Sequence, residues 1–255
     1  MAILQKTATG APEEWEKDSI KKENKQLVEK IADLQRLLYA DASKGLLLIL
    51  QGIDASGKDG TIRKIFSAVN PLGCRVYGFK KPTEEEAARD FLWRIHKVVP
   101  PKGMIHIFNR SHYEDILVPT VTNSISKQEI EKRYKQINDF EELLTENGTK
   151  IIKCYLHVSK EEQLERLTDR IENRTKHWKH NDGDWKSRKM WDDYMKVYEN
   201  IFERCNAVPW HIIPADKNWV KVNYVAKLMI QALEEMDLSW PELETETFTN
   251  TSVTP

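Results

Sequence analysis

The sequence predicts an α/β fold, with a mostly parallel five-stranded sheet between two layers of helices in one domain over residues 1–240. Three observations predict it. Short apolar runs alternate along the chain with amphipathic stretches of helical period, the pattern of right-handed crossovers onto a parallel sheet. One of those runs, 46–50, feeds a glycine loop that opens a helix. No proline- or glycine-rich linker, internal repeat or low-complexity segment divides the chain.

The elements follow in order. Leu27, Ile31, Leu34 and Leu38 share one face of a helix over 13–40. That stripe has two open destinations, its own domain or a second copy of the chain. Strand 46–50 and the glycine loop lead to a helix over 58–69, ended by Asn70-Pro71-Leu72-Gly73. A strand is expected near 74–79. Thr83-Glu84-Glu85-Glu86 reads as a capping box opening a helix to about 97. Pro100-Pro101-Lys102-Gly103 breaks the chain before strand 104–108. Ser126 with Glu129 caps a helix whose apolar face is Ile130, Tyr134, Ile137 and Leu144, stopped at Asn147-Gly148. Strand 151–158 precedes a helix capped by Ser159 and Glu162. A polar break at 180–184 leads to a helix over 185–204, then strand 210–213 and a helix over 217–237. The tail 241–255 is polar and expected to be mobile. In such sheets ligands bind at the carboxyl ends of the strands, so chemistry is expected in the loops after 50, 79, 108, 158 and 214.

The glycine loop has the spacing of a phosphate-binding P-loop. Gly52 and Gly57 allow the tight turn that points successive amides of Ala55, Ser56, Asp59 and Gly60 at phosphate oxygens, and Lys58 supplies a mobile ammonium. The alternative is an incidental glycine turn. Two acids are unusual there. Asp59 replaces the Ser/Thr whose hydroxyl ordinarily binds Mg²⁺, and Asp54 sits in the loop itself. A carboxylate beside phosphate is repelled unless a divalent cation lies between them or it carries a proton. Asp54 therefore predicts Mg²⁺, with Mn²⁺ as a substitute and Asn109 or Asp59 as further candidate ligands. The competing reading is a turn aspartate bonded to nearby backbone.

Two further stretches carry chemistry. Phe108-Asn109-Arg110-Ser111-His112-Tyr113-Glu114-Asp115 follows a strand, where Arg110 can clamp phosphate. His112 is either a structural histidine or a base. Between Arg166 and Lys189 lie eight Lys/Arg and four acids. Arg166, Arg170 and Arg174 recur every four residues, which puts them on one helix face with the acids mostly elsewhere. Such a stretch is either a solvated face or a lid over 160–204 that closes on transferring phosphate. Trp191, Tyr194 and Tyr198 fall at core spacing, whereas Trp178 lies among the lid charges, free to stack on a base. His177 and His180 have no matched cluster for a metal.

Composition narrows the class. With 40% hydrophobic and 31% charged residues, wholesale disorder is excluded. No apolar run approaches a membrane span, and no signal peptide is expected at the start. Net charge is −1, which by itself says nothing about partners; neither nucleic acid nor membrane is expected as one. Cys74, Cys154 and Cys205 lack CxxC spacing and read as thiols in the reducing cytoplasm.

Together these motifs resemble the polyphosphate kinase 2 family. The matching residues are GIDASGKDG (52–60), FKKPT (79–83), FNRSHYED (108–115), and RIENRTKHWK (170–179) through Asp184, Arg188, Trp191 and Tyr194. The resemblance runs from about Tyr39 to Leu238 and its loop pattern accommodates both unusual acids. It implies a P-loop kinase sandwich similar to thymidylate kinase with a helical lid. It implies Mg²⁺-dependent, reversible transfer between inorganic polyphosphate and AMP or ADP, giving ADP or ATP, with guanine nucleotides as further candidates. A homo-oligomer, dimer or tetramer, is expected from the apolar surface of the N-terminal helix. Lys58 and Arg110 would hold phosphate, and Asp54 would bind metal or orient the acceptor. Lys80, Lys81, Arg170, Arg174, Lys176, Lys179 and Arg188 would line the polyphosphate path. Asn109, Arg110, His112 and Glu114 would face the nucleotide. Rival readings are a nucleotide kinase that uses ATP as donor, and a P-loop binding protein without turnover.

Overall fold

The computed structural model describes residues 3–244. Most of the tail expected to be mobile, residues 245–255, lies outside the described residues. Five strands, β1 (Gly45–Gln51), β2 (Cys74–Gly78), β3 (Ile105–Asn109), β4 (Thr149–His157) and β5 (Trp210–Pro214), form one sheet in the order β2-β3-β1-β4-β5. Every pairing is parallel. Central β1 is buried at every position, as an apolar run covered on both faces should be. All five strands point the same way, so their exits meet at one edge of the sheet.

The main helices are α1 (Lys17–Asp41), α2 (Lys58–Ile65), α3 (Glu114–Thr122), α4 (Lys127–Glu146), α5 (Lys160–Glu172), α6 (Asp182–Lys189), α7 (Trp191–Arg204) and α8 (Asn218–Glu234). Helix α1 starts at Glu16, whose carboxylate accepts from the amides of Asp18 and Ser19. Its apolar stripe packs within the chain: Ile31 and Leu38 are fully buried. Asn24 Nδ2 donates to the Trp219 carbonyl at 2.9 Å, and Trp15 stacks on Tyr224 of α8. That settles the destination of the stripe in favour of its own domain.

Three elements depart from expectation. The helix over 84–97 forms only as two single turns, Glu84–Ala87 and Trp93–His96. Thr83 and Glu86 do make the capping box. The run then breaks where Asp90 Oδ1 accepts from the Leu92 amide, a local bond that competes with helix. Helix α3 was not expected, because Pro119 stands inside it. Proline leaves the Asp115 carbonyl without its helical donor, and Arg133 Nη1 takes that place at 2.6 Å. The segment 185–204 is two helices that meet at Met190. Among the described residues no helix is long and apolar enough to cross a membrane.

Candidate active site

The glycine loop leaves β1 and enters α2 with Gly57 in the left-handed region at φ 99°. A Cβ at Gly57 would lie 2.1 Å from Lys221 Nζ, so this position requires glycine twice over. Side chains hold the carbonyls of the loop, and two of them, Lys58 and Arg166, also line the cleft. Lys58 Nζ donates to Gly52 O at 2.7 Å and to Ile53 O at 3.3 Å. Gln163 Nε2 donates to Asp54 O at 3.0 Å. Arg166 Nη1 donates to Ala55 O and Ser56 O, each at 2.9 Å, and Lys221 Nζ reaches Ser56 O at 3.1 Å. Five consecutive carbonyls are thus tied back. Among the described residues, the amides of Ala55, Gly57 and Lys58 donate to no carbonyl or side chain of the protein. A loop with its carbonyls held and its amides free is suited to binding an anion.

The loop floors a cleft of about 1040 Å³, at the upper end of the range for small-ligand sites. At its mouth Arg110 pairs with Asp54 and, at 3.3 Å, with Glu114. Burial works against the arginine's charge, but Glu114 and Asp54 outweigh it and hold its pKa above the ordinary value. Arg110 has φ 65°, a strained conformation for a residue with a side chain and one that clusters at functional sites. Burial and the nearby Arg110 push Lys58 down to about 8, against the opposing pull of Asp54 and Glu114. Asn109 Nδ2 donates to Asp59 at 2.6 Å, which ties the end of β3 to α2. Burial and Asp54 raise the Asp184 carboxyl, opposed by Arg170.

The basic stretch covers this cleft only in part. Arg170, Lys176 and Lys179 line it, together with Lys80 and Lys81 from the loop after β2. Arg94 anchors that loop by donating to the Lys80 carbonyl at 2.8 Å and to Asp115 at 2.9 Å. Two expectations are corrected. Arg166, Arg170 and Arg174 do not share a helix face, since α5 ends at Glu172 and Arg174 starts a 3₁₀ turn outside the cleft lining. The acids are not elsewhere either: Asp169 pairs with Lys176, Asp184 with Arg170 and Glu162 with Arg166. Tyr194 and Tyr198 are buried, as their spacing predicted, whereas Trp178 is 78% exposed on the lid.

Several expected contacts lie off the cleft. Arg188 is bound to the Lys160 carbonyl and to Gln163 Oε1, both at 2.7 Å. Gly52 and Ser56 are buried in the back of the loop. Glu114 is turned to Arg110 and Gln51 and does not line the cleft. His112 is fully buried, with Nε2 3.3 Å from Glu141. The same carboxylate accepts from Tyr113 Oη and Lys153 Nζ, both at 2.6 Å. His112 therefore cannot touch a nucleotide, and belongs to a buried network behind the segment that presents Arg110. Sequence reasoning missed Gln163 and Lys221. Lys221 did carry a signal, a lysine among Val220, Val222, Val225 and Ala226 where an apolar helix face was due.

A phosphate loop at the carboxyl edge of a parallel sheet, with Arg110 beside it and a basic arm above, defines a phosphotransferase of the P-loop kind. The family model for polyphosphate kinase 2 matches residues 14–241. The chain belongs to the polyphosphate kinase 2 family. It is 46% identical over 218 residues to an AMP/ADP-polyphosphate phosphotransferase of Meiothermus ruber, covering 85% of this chain and 82% of the relative. It is 40% identical to an ADP-polyphosphate phosphotransferase of Rhodopseudomonas palustris, covering 84% and 79% of the two chains. A crystal structure of polyphosphate kinase 2 from Arthrobacter aurescens superposes with a TM-score of 0.89 at 40% identity, over 94% of this chain and 89% of the other.

Proposed function

We infer that this enzyme transfers phosphoryl groups reversibly between inorganic polyphosphate and AMP or ADP. The observation that carries the reading is the continuity of the cleft. One surface runs from the free amides of the loop to Lys80 and Lys81 on one side and Lys176 and Lys179 on the other. A single triphosphate needs only the loop and Arg110, whereas an extended polyanion needs such a track. The names of the relatives support the same donor and acceptors, and a relative named as a putative GDP-polyphosphate phosphotransferase from Corynebacterium glutamicum, 29% identical, adds guanine nucleotides as candidates. Three free cysteines, two of them buried, suit a reducing cytoplasm.

Phosphoryl transfer is mostly positioning and charge neutralisation. The loop amides and Lys58 face the phosphates of the transferring group, and Arg110 offsets charge on its equatorial oxygens. The bound polyanion also favours the charged form of Lys58, whose proton is weakly held in the free protein. Among the described residues no group of three or more His, Cys, Asp or Glu could hold a metal by themselves. The donors do fit Mg²⁺, which is commonly held by one or two carboxylates plus substrate phosphates. Asp54 would hold it, with Asp59 or Asn109 alongside, and it would supply charge neutralisation between carboxylate and phosphate.

The test is direct. Purified protein with Mg²⁺, polyphosphate and AMP or ADP is expected to yield ADP or ATP. Folded protein that makes no product under these conditions contradicts the reading. Turnover only with ATP as donor would favour an ordinary nucleotide kinase.

A further inference from the structure

The loop carbonyls are held by side chains of α2, α5 and α8, and one of these holders is unusual. Lys221 is fully buried. Its ammonium donates to Ser56 O at 3.1 Å and lies 3.5 Å from Ala215 O, and among the described residues it has no carboxylate within ion-pair distance. Arg166 brackets the same two segments, donating to Ala55 and Ser56 in the loop and to Ala215 and Asp216 after β5, the last two at 2.8 Å. Two cations therefore join the phosphate loop to the exit of β5. A buried ammonium without a carboxylate is a cost to folding that ordinary packing does not require. That cost shows in the protein: burial and the Arg166 charge push Lys221 down to about 7. Its place is equally specific, since the ammonium lies only 2.1 Å from where a Cβ on Gly57 would be.

We propose that Lys221 is a positioning residue of the phosphate loop, holding the Ser56 carbonyl so that the following amides face the transferring phosphate and adding a positive charge beneath them. It touches no substrate. It acts through the Ser56–Lys58 backbone, and the assignment rests on the reading of that loop as the phosphoryl-transfer site.

The experiment compares wild type, Lys221→Met and Lys221→Arg in the polyphosphate-to-ADP reaction, with melting temperatures measured in parallel. Wild-type turnover comes first, since its absence would defeat the functional reading and leave nothing for Lys221 to position. Given turnover, Lys221→Met is expected to melt no lower than wild type, because a buried charge has been removed. Its kcat should fall at least about tenfold while KM for ADP stays within about twofold, the signature of a lost transition-state interaction. Lys221→Arg is expected to recover most of kcat. A well-folded Lys221→Met with wild-type kcat overturns the proposal. So does activity that falls only in proportion to the folded fraction. Should the methionine variant fail to fold, Lys221→Gln, which keeps an N–H donor without the charge, is read in the same assay: a reduced kcat supports the role and an unchanged kcat overturns it.

Discussion

The floor and the lid of the cleft are both basic, yet they are built in opposite ways. On the floor Lys58, Arg166 and Lys221 are buried or half-buried and bonded mainly to backbone carbonyls. Their geometry is fixed before any substrate arrives. On the lid the cleft-lining bases belong to a short 3₁₀ turn and the end of α5, and two of them are engaged with acids, Lys176 with Asp169 and Arg170 with Asp184. The Lys176–Asp169 pair is half exposed, and pairs of that kind are worth at most about 1 kcal/mol, whereas the Arg170–Asp184 pair is largely buried. A phosphate chain can take over such a cation at small cost, whereas moving a floor cation means unmaking the loop. The difference teaches a division of labour: the floor is organised for the transferring group, and the lid is an exchangeable track for the remainder of the donor.

The strongest way to break this comparison is to remove the floor's own groups. Lys58→Ala and Asp54→Ala are each expected to lower kcat by at least about 10²-fold in steady-state assays, the scale of a lost transition-state contact. Near-normal rates would place the site elsewhere. Next is Gly57→Ala, which drives a methyl group against the Lys221 ammonium and strains a φ of 99°. It is expected to cost about tenfold or more in kcat without changing a lid residue.

Acid–base behaviour sharpens the same contrast. The floor lysines titrate low in the free protein, Lys221 at about 7 and Lys58 at about 8. Lys221 is faced by Arg166, Glu162, Asp216 and Lys58, and Lys58 by Arg110, Asp54, Glu114 and Asp59. Both pKa values are lowered, so the ammonium forms are present below these values and are lost as pH rises through them. A plot of kcat/KM for polyphosphate, which reports the free enzyme, is expected to fall from about pH 7 to about pH 9. A flat profile would show that these protons are not needed. The smallest effect belongs to Arg174→Ala, since Arg174 stands outside the cleft lining; kcat and KM are expected to stay within about twofold.

Much of the floor was legible in the sequence because a strand, a glycine loop and a helix must be contiguous to work. Residues 46–61 carry all three, and Asp54, Lys58 and Arg110 do converge. What supports them was not legible. Gln163, Arg166 and Lys221 are brought beneath the loop from 109 to 165 residues away by the crossovers, and nothing in their local spacing says so. The lid failed differently. A four-residue period put Arg174 on a helix that stops two residues earlier, and Arg188 faces Gln163 instead of the cleft. Helix α3 was hidden by Pro119, whose lost hydrogen bond is replaced by Arg133, a residue on another helix. Local signals gave the elements that close on themselves, and long-range hydrogen bonds decided the remainder.

The division of labour is tested most directly by the double variant Lys176→Ala/Lys179→Ala, assayed with long-chain polyphosphate and with tripolyphosphate. If the lid is a track for the donor, KM for the long chain rises about tenfold, as expected for losing two exposed charge contacts. In that case kcat stays within about threefold and KM for tripolyphosphate barely moves. A collapse of kcat, or an equal rise of KM for both donors, would contradict the account.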